Sequence, residues 1–240
     1  MLFDFLVALR RGDMEALKWA FAGLLLSLPI ILLALCIHEV SHGFVANKLG
    51  DPTAKSFGRL TLNPLKHFEP FGFLCMLCLG IGWAKPIPIN TRYFKKPRRD
   101  MAICAVAGPI SNLLMALLFA VLMRVTYIIA NANEVFFLSN EWALTLFQVL
   151  VLLFTTGIRL NVGLAVFNMI PLPPLDGSRV LYLFLPQRAL MFFLQNERYI
   201  QMGLIVWLIA ESYLPFGIIT PLVSYATSYI VQFFYLILGF

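Results

Sequence analysis

The chain has 240 residues and a formal net charge of +6; 60% of it is apolar and only 12% is charged, about half the usual ~25% for soluble domains. With a mean hydropathy of +0.85, this is more apolar surface than a soluble fold of that length can hide, so lipid must be the solvent for most of it. No basic helix and no interleaving of bases with aromatics points to nucleic acid. Ten of the eighteen Lys and Arg lie between Lys48 and Arg99, as expected of a cytoplasmic loop between membrane spans.

Residues 1–18 mix apolar residues with Asp4, Arg10, Arg11, Asp13, Glu15 and Lys18, which predicts an interfacial N-terminal segment. Residues 19–37 carry no charge and reach ~28 Å as a helix, enough to span. No small-residue cleavage site follows, so the segment reads as retained. The helix is predicted to continue through His38, Glu39 and His42 to Lys48. Residues 49–70 are polar and basic, broken by Pro52, Pro64 and Pro70. Residues 71–83 are apolar but too short to span, and predict a re-entrant or interfacial piece. In 82–90, Pro86 and Pro88 forbid a regular helix and favour extended backbone. At membrane depth this is tolerated only under protein cover or along a wet cavity.

Further spans are predicted at 101–130 and 143–170. The loop between them has Glu134 and Glu141 and no base, the mark of the outer face. Residues 171–177, PLPPLDG, cannot remain helical. Arg179, Arg188 and Arg198 return 178–200 to the inner face, and two last spans follow at about 200–214 and 217–238. The expectation is an all-α membrane protein of about five transmembrane helices plus a short re-entrant extended segment, with N-terminus outside and C-terminus inside. The expected organisation is one membrane-embedded domain over 1–240: an interfacial segment 1–18, a core 19–177 and C-terminal helices 178–240.

Cys75 and Cys78 form a C-x-x-C, but they sit among Phe73, Leu74, Met76, Leu77 and Leu79, with no second pair to complete a four-ligand zinc site. They read as packing residues. The stronger signal is H-E-x-x-H at 38–42. Two histidines four apart on a helix are ~40° apart around its axis and can share one zinc ion. Glu39 is placed beside them to accept a proton from water. Three ionisable residues inside apolar sequence are costly and mark function. A catalytic zinc takes a third protein ligand, and the candidates are His67, Glu69, Asp100 and Asp176. Asp176 is the best physical choice, because it follows a proline-rich break at the same end of its span as the histidines. It also reads as an ordinary helix cap before Ser178.

The chain resembles the site-2 protease family of intramembrane zinc metalloproteases. The resemblance is carried by HEVSH at 38–42, LTLNPLKH at 60–67, GWAKPIPIN at 82–90, GPISN at 108–112 and FNMIPLPPLDG at 167–177. In this order the set is highly specific, and it is most similar to the compact bacterial members without an inserted regulatory domain. The resemblance implies His38, His42 and Asp176 as zinc ligands and Glu39 as catalytic acid/base. It implies that 82–90, with Pro86 and Pro88, is a re-entrant extended segment beside the active site. It also implies cleavage of transmembrane protein substrates near the cytosolic side of a bacterial cell membrane. Asn112 and Asn168 match polar family positions and are candidates for orienting substrate or stabilising an oxyanion; interhelical hydrogen bonding is the alternative. His67 matches a family position without a ligand role, and Glu69 stands where Asp is usual.

Two other classes use the same residues. A metal-ion transporter needs ionisable residues strung across the bilayer; the second and third spans offer Arg124 and Arg159, and no string of carboxylates connects the metal motif to the outer face. A catalytically dead scaffold has no need of Glu39.

Overall fold

The computed structural model describes residues 9–67, 69, 70, 72, 84–211 and 217–239. The predicted apolar piece at 71–83, with Cys75, Cys78 and Trp83, lies outside the described residues except for Gly72. Among the described residues the protein is helical and without strands, in agreement with the all-α expectation. Four helices are long and apolar enough to cross a membrane.

The first of these, α1 (Met14–Lys48), opens on Asp13, whose carboxylate accepts from the Ala16 N–H at 3.0 Å. That satisfies one of the free donors of the first turn. The helix therefore begins inside the stretch expected to be interfacial and runs unbroken through the H-E-x-x-H motif to a basic last turn at Lys48. Gly50, at φ 107°, then reverses the chain where a side chain would be strained. Two short helices follow, α2 (Thr53–Ser56) and α3 (Pro64–His67). Residues 84–90 belong to neither helix nor strand, and lead through a 3₁₀ turn at Thr91–Tyr93 into α4 (Pro97–Ala132).

A short α5 (Glu134–Ser139) precedes α6 (Glu141–Asn168). The core forms where α4 meets α6. Ala116, Ala120 and Met123 of α4 pack on Phe154, Ile158 and Val162 of α6. Asn112, Ala116 and Ala120 are fully buried, and with Gly108 they repeat every four residues. That small-residue stripe lets the backbones approach closely where no hydrophobic effect drives helices together. On the outside, Leu25, Leu114, Leu118, Leu122 and Val125 are exposed, as expected of a lipid-facing surface.

Pro171, Pro173 and Pro174 end α6, and α7 (Asp176–Phe184) begins immediately after them. The last two helices are α8 (Gln187–Glu211) and α9 (Ile219–Leu238). Of the expected span at 200–214, residues 212–214 lie outside the described residues. Its described part is the second half of α8, which carries Arg188, Glu197, Arg198 and Glu211. The uncharged stretch between Arg198 and Glu211 is only about 18 Å long as helix, short of the ~30 Å hydrocarbon core. For that reason α8 is not one of the four.

Candidate metal centre

The centre is assembled from three helices. His38 and His42 project from one face of α1, one turn apart, with ring centroids 4.6 Å apart and planes at 89°. The first turn of α7 brings Asp176 to them: its Oδ2 lies 3.1 Å from His38 Nε2 and 3.3 Å from His42 Nε2. One atom from each of the three residues falls within 4.8 Å of the others, a grouping that could hold a metal ion. The third wall is α4, where Gly108 leaves the rings their room. A Cβ there would sit 2.5 Å from His42 Nε2 and Cε1 and 2.6 Å from His38 Cε1.

Asp176 is the first residue of α7 and not its cap; Leu175 holds the cap position, with no side-chain bond. The carboxylate is thereby released to face the imidazoles. Gly177 allows this, because a Cβ at that position would run into the backbone of Met169 and Ile170.

His42 is oriented from behind. Its Nδ1 lies 2.7 Å from the carbonyl oxygen of Cys104 on α4. A carbonyl can only accept, so Nδ1 carries the proton and Nε2 presents its lone pair to the centre, the arrangement that metal-binding histidines use. Two imidazole nitrogens and one carboxylate, largely withdrawn from water, form a donor set that suits zinc with a position left open.

The other acids and the third histidine are engaged elsewhere. His67 Nε2 donates to or accepts at the Thr61 backbone only in the sense a carbonyl permits: it donates, at 2.8 Å. Glu69 accepts from the Gly72 N–H. Asp100 pairs with Arg99 at 2.7 Å and accepts from the Lys96 N–H at 2.9 Å.

Glu39 turns toward the extended segment, and its Oε2 accepts from the Ile87 N–H at 2.7 Å. That segment is pinned at several further points. Lys85 N–H donates to the His67 carbonyl at 2.9 Å. Arg59 donates to the carbonyls of Lys85 at 2.8 Å and Pro86 at 3.3 Å. Asn90 N–H donates to Asp51 at 2.7 Å, and Asp51 is fully buried. Pro86 is exposed and Pro88 half-buried beside Ile87.

Asp51, Arg59 and Gly43 escaped sequence reasoning. A Cβ on Gly43 would stand 2.6 Å from Ile87 Cδ1 and 2.7 Å from Leu60 Cδ2, so its absence lets the extended segment lie against α1. In sequence, Asp51 and Arg59 lie in the polar and basic stretch 49–70, where nothing sets them apart. Of the two asparagines, Asn112 is buried one turn beyond Gly108, with neither side-chain polar atom hydrogen-bonded. Asn168, in the last turn of α6, donates to the Leu164 carbonyl of its own helix at 3.0 Å.

Residues 26–210 match the model of peptidase family M50. This chain belongs to peptidase family M50. Among its relatives, the protein provisionally named zinc metalloprotease YwhC of Bacillus subtilis strain 168 is 39% identical over 81% of this chain and 80% of its own length. The one provisionally named zinc metalloprotease Rip2 of Mycolicibacterium smegmatis is 34% identical over 61% of this chain and 52% of its own. MJ0611 of Methanocaldococcus jannaschii, with the same kind of name, is 30% identical over 60% of this chain and 62% of its own. No solved structure matches the chain. Family M50 membership, the relatives' names and the His-His-Asp group together make the protein a zinc metalloprotease, and its long apolar helices are those of a membrane protein.

Proposed function

We propose that this M50 peptidase cleaves transmembrane protein substrates inside the bilayer, near the cytosolic side, as a single-domain multi-pass protein of a bacterial cell membrane. His38, His42 and Asp176 are its zinc ligands and Glu39 its general acid and base. The observation that carries this reading is the convergence of the three ligand atoms within 4.8 Å at the end of a 35-residue helix apolar enough to span.

Zinc, when bound by these three residues, supplies Lewis acidity for the scissile carbonyl and for water. The chain supplies the rest. Ile87 N–H holds one oxygen of Glu39 and fixes its rotamer, while the other oxygen takes the proton of the attacking water and delivers it to the leaving amine nitrogen. A substrate helix must unwind to expose its scissile bond, and its freed backbone groups then need partners. Extended residues 84–90 offer them. Because Pro86 and Pro88 lack N–H groups, this edge contributes mainly carbonyl acceptors and pairs with the substrate's N–H donors. Asn112 on α4 and Asn168 on α6 are the residues proposed to contact substrate or an oxyanion.

The test reconstitutes wild type and Glu39→Gln with single-span helical substrates bearing a helix-breaking residue near the cytosolic end. Wild type is expected to cut there, and Glu39→Gln to retain zinc and lose cleavage. Equal cleavage by both forms removes Glu39 from the mechanism. Transport of zinc across liposomes without cleavage of any substrate replaces the protease reading with a transporter.

A further inference from the structure

We propose that the groove between α1, α4 and α7 is a binding site for one anionic phospholipid, with its phosphate at the basic start of α4 and an acyl chain along the helix. The groove has a volume of about 680 Å³, and Phe44, Arg99, Ile103, Ile110, Leu114 and Leu183 are in its wall. It adjoins the metal centre, since Val180 and Leu183, four and seven residues beyond Asp176, share that residue's face of α7, but His38, His42 and Asp176 are not in its wall.

From Arg99 to Leu114 the groove follows α4 for about 22 Å, a length along which an extended acyl chain can lie.

The chemistry agrees with the dimensions. The uncharged polar side chains in the wall, Ser41 and Ser111, donate to the Ile37 and Gly108 carbonyls of their own helices at 2.7 and 2.6 Å. The wall therefore offers dispersion contacts and little for an unwound peptide backbone to bind. The charge sits at one end. Arg99 is in the wall, and its neighbours in sequence Lys95, Lys96 and Arg98 are exposed at the same start of α4, with Asp100 the one acid among them. Arg99 is paired with Asp100 yet its side chain remains 50% exposed, and Arg98 reaches the carbonyl of Leu185 and the side chain of Gln187 at the start of α8. A basic mouth at the cytoplasmic end of an apolar groove between membrane helices is complementary to an anionic headgroup and its chain.

The experiment uses the whole protein in phosphatidylcholine nanodiscs doped with a phosphatidylglycerol that carries a photoactivatable diazirine on its acyl chain. Labelling mapped by mass spectrometry is expected to concentrate at Phe44, Ile103 and Ile110. Excess unlabelled phosphatidylglycerol should suppress it and excess phosphatidylcholine should not. Arg99→Gln should lower groove labelling about five-fold, the share of one basic residue near an anionic surface. Ile103→Trp, which fills the channel and leaves the mouth intact, should abolish it. Both variants should keep wild-type helicity and zinc content, since neither Arg99 nor Ile103 is among the proposed ligands. Labelling spread equally over the groove and exposed positions of α9 such as Leu222 and Phe233, or equal competition by phosphatidylcholine, overturns the proposal. So does efficient crosslinking of a single-span peptide to Ile103 in saturating phosphatidylglycerol, which would assign the groove to protein.

Discussion

The carboxylate of Glu39 accepts a hydrogen bond from the backbone N–H of Ile87, 48 residues away, at 2.7 Å. The proposed proton-transfer group and the proposed substrate-binding segment are thus one mechanical unit. A shift of residues 84–90 moves the base, and a substrate that pairs with them meets a base already aimed.

Removing that N–H should affect the chemical step. Ile87→Pro deletes the donor within a segment that already carries prolines on both sides. A hydrogen bond to a charged group is worth roughly 1.5–3 kcal/mol, so kcat should fall about ten-fold or more while zinc content is unchanged. Steady-state kinetics on a single-span substrate, with metal analysis of the same preparation, decides this. An unchanged kcat would mean that Glu39 needs no such anchor.

Zinc retention should follow the geometry of the centre and not acidity in general. About one zinc per chain is expected for the wild type. Asp176→Ala should bind it more weakly, and the double change of His38 and His42 to Ala should lose it. Glu69→Ala and Asp100→Ala should leave it in place, because those carboxylates are committed to Gly72 and to Arg99 with Lys96. Metal analysis across the set is the measurement. Loss of zinc from Glu69→Ala with retention by Asp176→Ala would overturn the ligand set.

A single methyl group at Gly108 should displace both rings. The added Cβ of Gly108→Ala would lie 2.5 Å from His42 Nε2, well inside contact distance, in a packed three-helix junction where overfilling typically costs about 1–3 kcal/mol. Helicity should persist and zinc affinity should fall about ten-fold or more, as read by chelator competition. Wild-type affinity would show that α4 can retreat without disturbing the rings.

Asp51→Asn tests the far end of the extended segment. The buried carboxylate holds the Asn90 N–H at 2.7 Å and the Thr53 N–H at 2.9 Å. The amide is a weaker acceptor and brings donors that have no partner there. Substrate binding should loosen, with KM rising several-fold, while zinc content stays at the wild-type level. A fall in zinc with no change in KM would place the role of Asp51 in the folding of the metal end of α1.

Much of this was legible in the sequence because it is local. Uncharged runs report which helices can face lipid, and the all-α class follows from the need to satisfy every backbone group within hydrocarbon. The pairing of His38 with His42 needs only the period of a helix. Charge also speaks locally at α8, where Arg198 and Glu211 bound the uncharged stretch.

Other features depended on closure over long distances. On sequence alone Asp176 was both a ligand candidate and a helix cap. The two readings separate only because the prolines end α6 where Leu175 can take the cap position and Gly177 can pack on the Met169–Ile170 backbone. The tautomer of His42 depends on the Cys104 carbonyl, 62 residues away, and the aim of Glu39 on an amide of the extended segment. Asp51 and Arg59 carried no signal, since a polar residue in a basic loop looks the same whether it faces water or holds another strand of chain. Helical periodicity determines which side chains share a face of one helix. Which faces meet is decided by packing, through small residues such as Gly43 and Gly108 whose role is the space they leave.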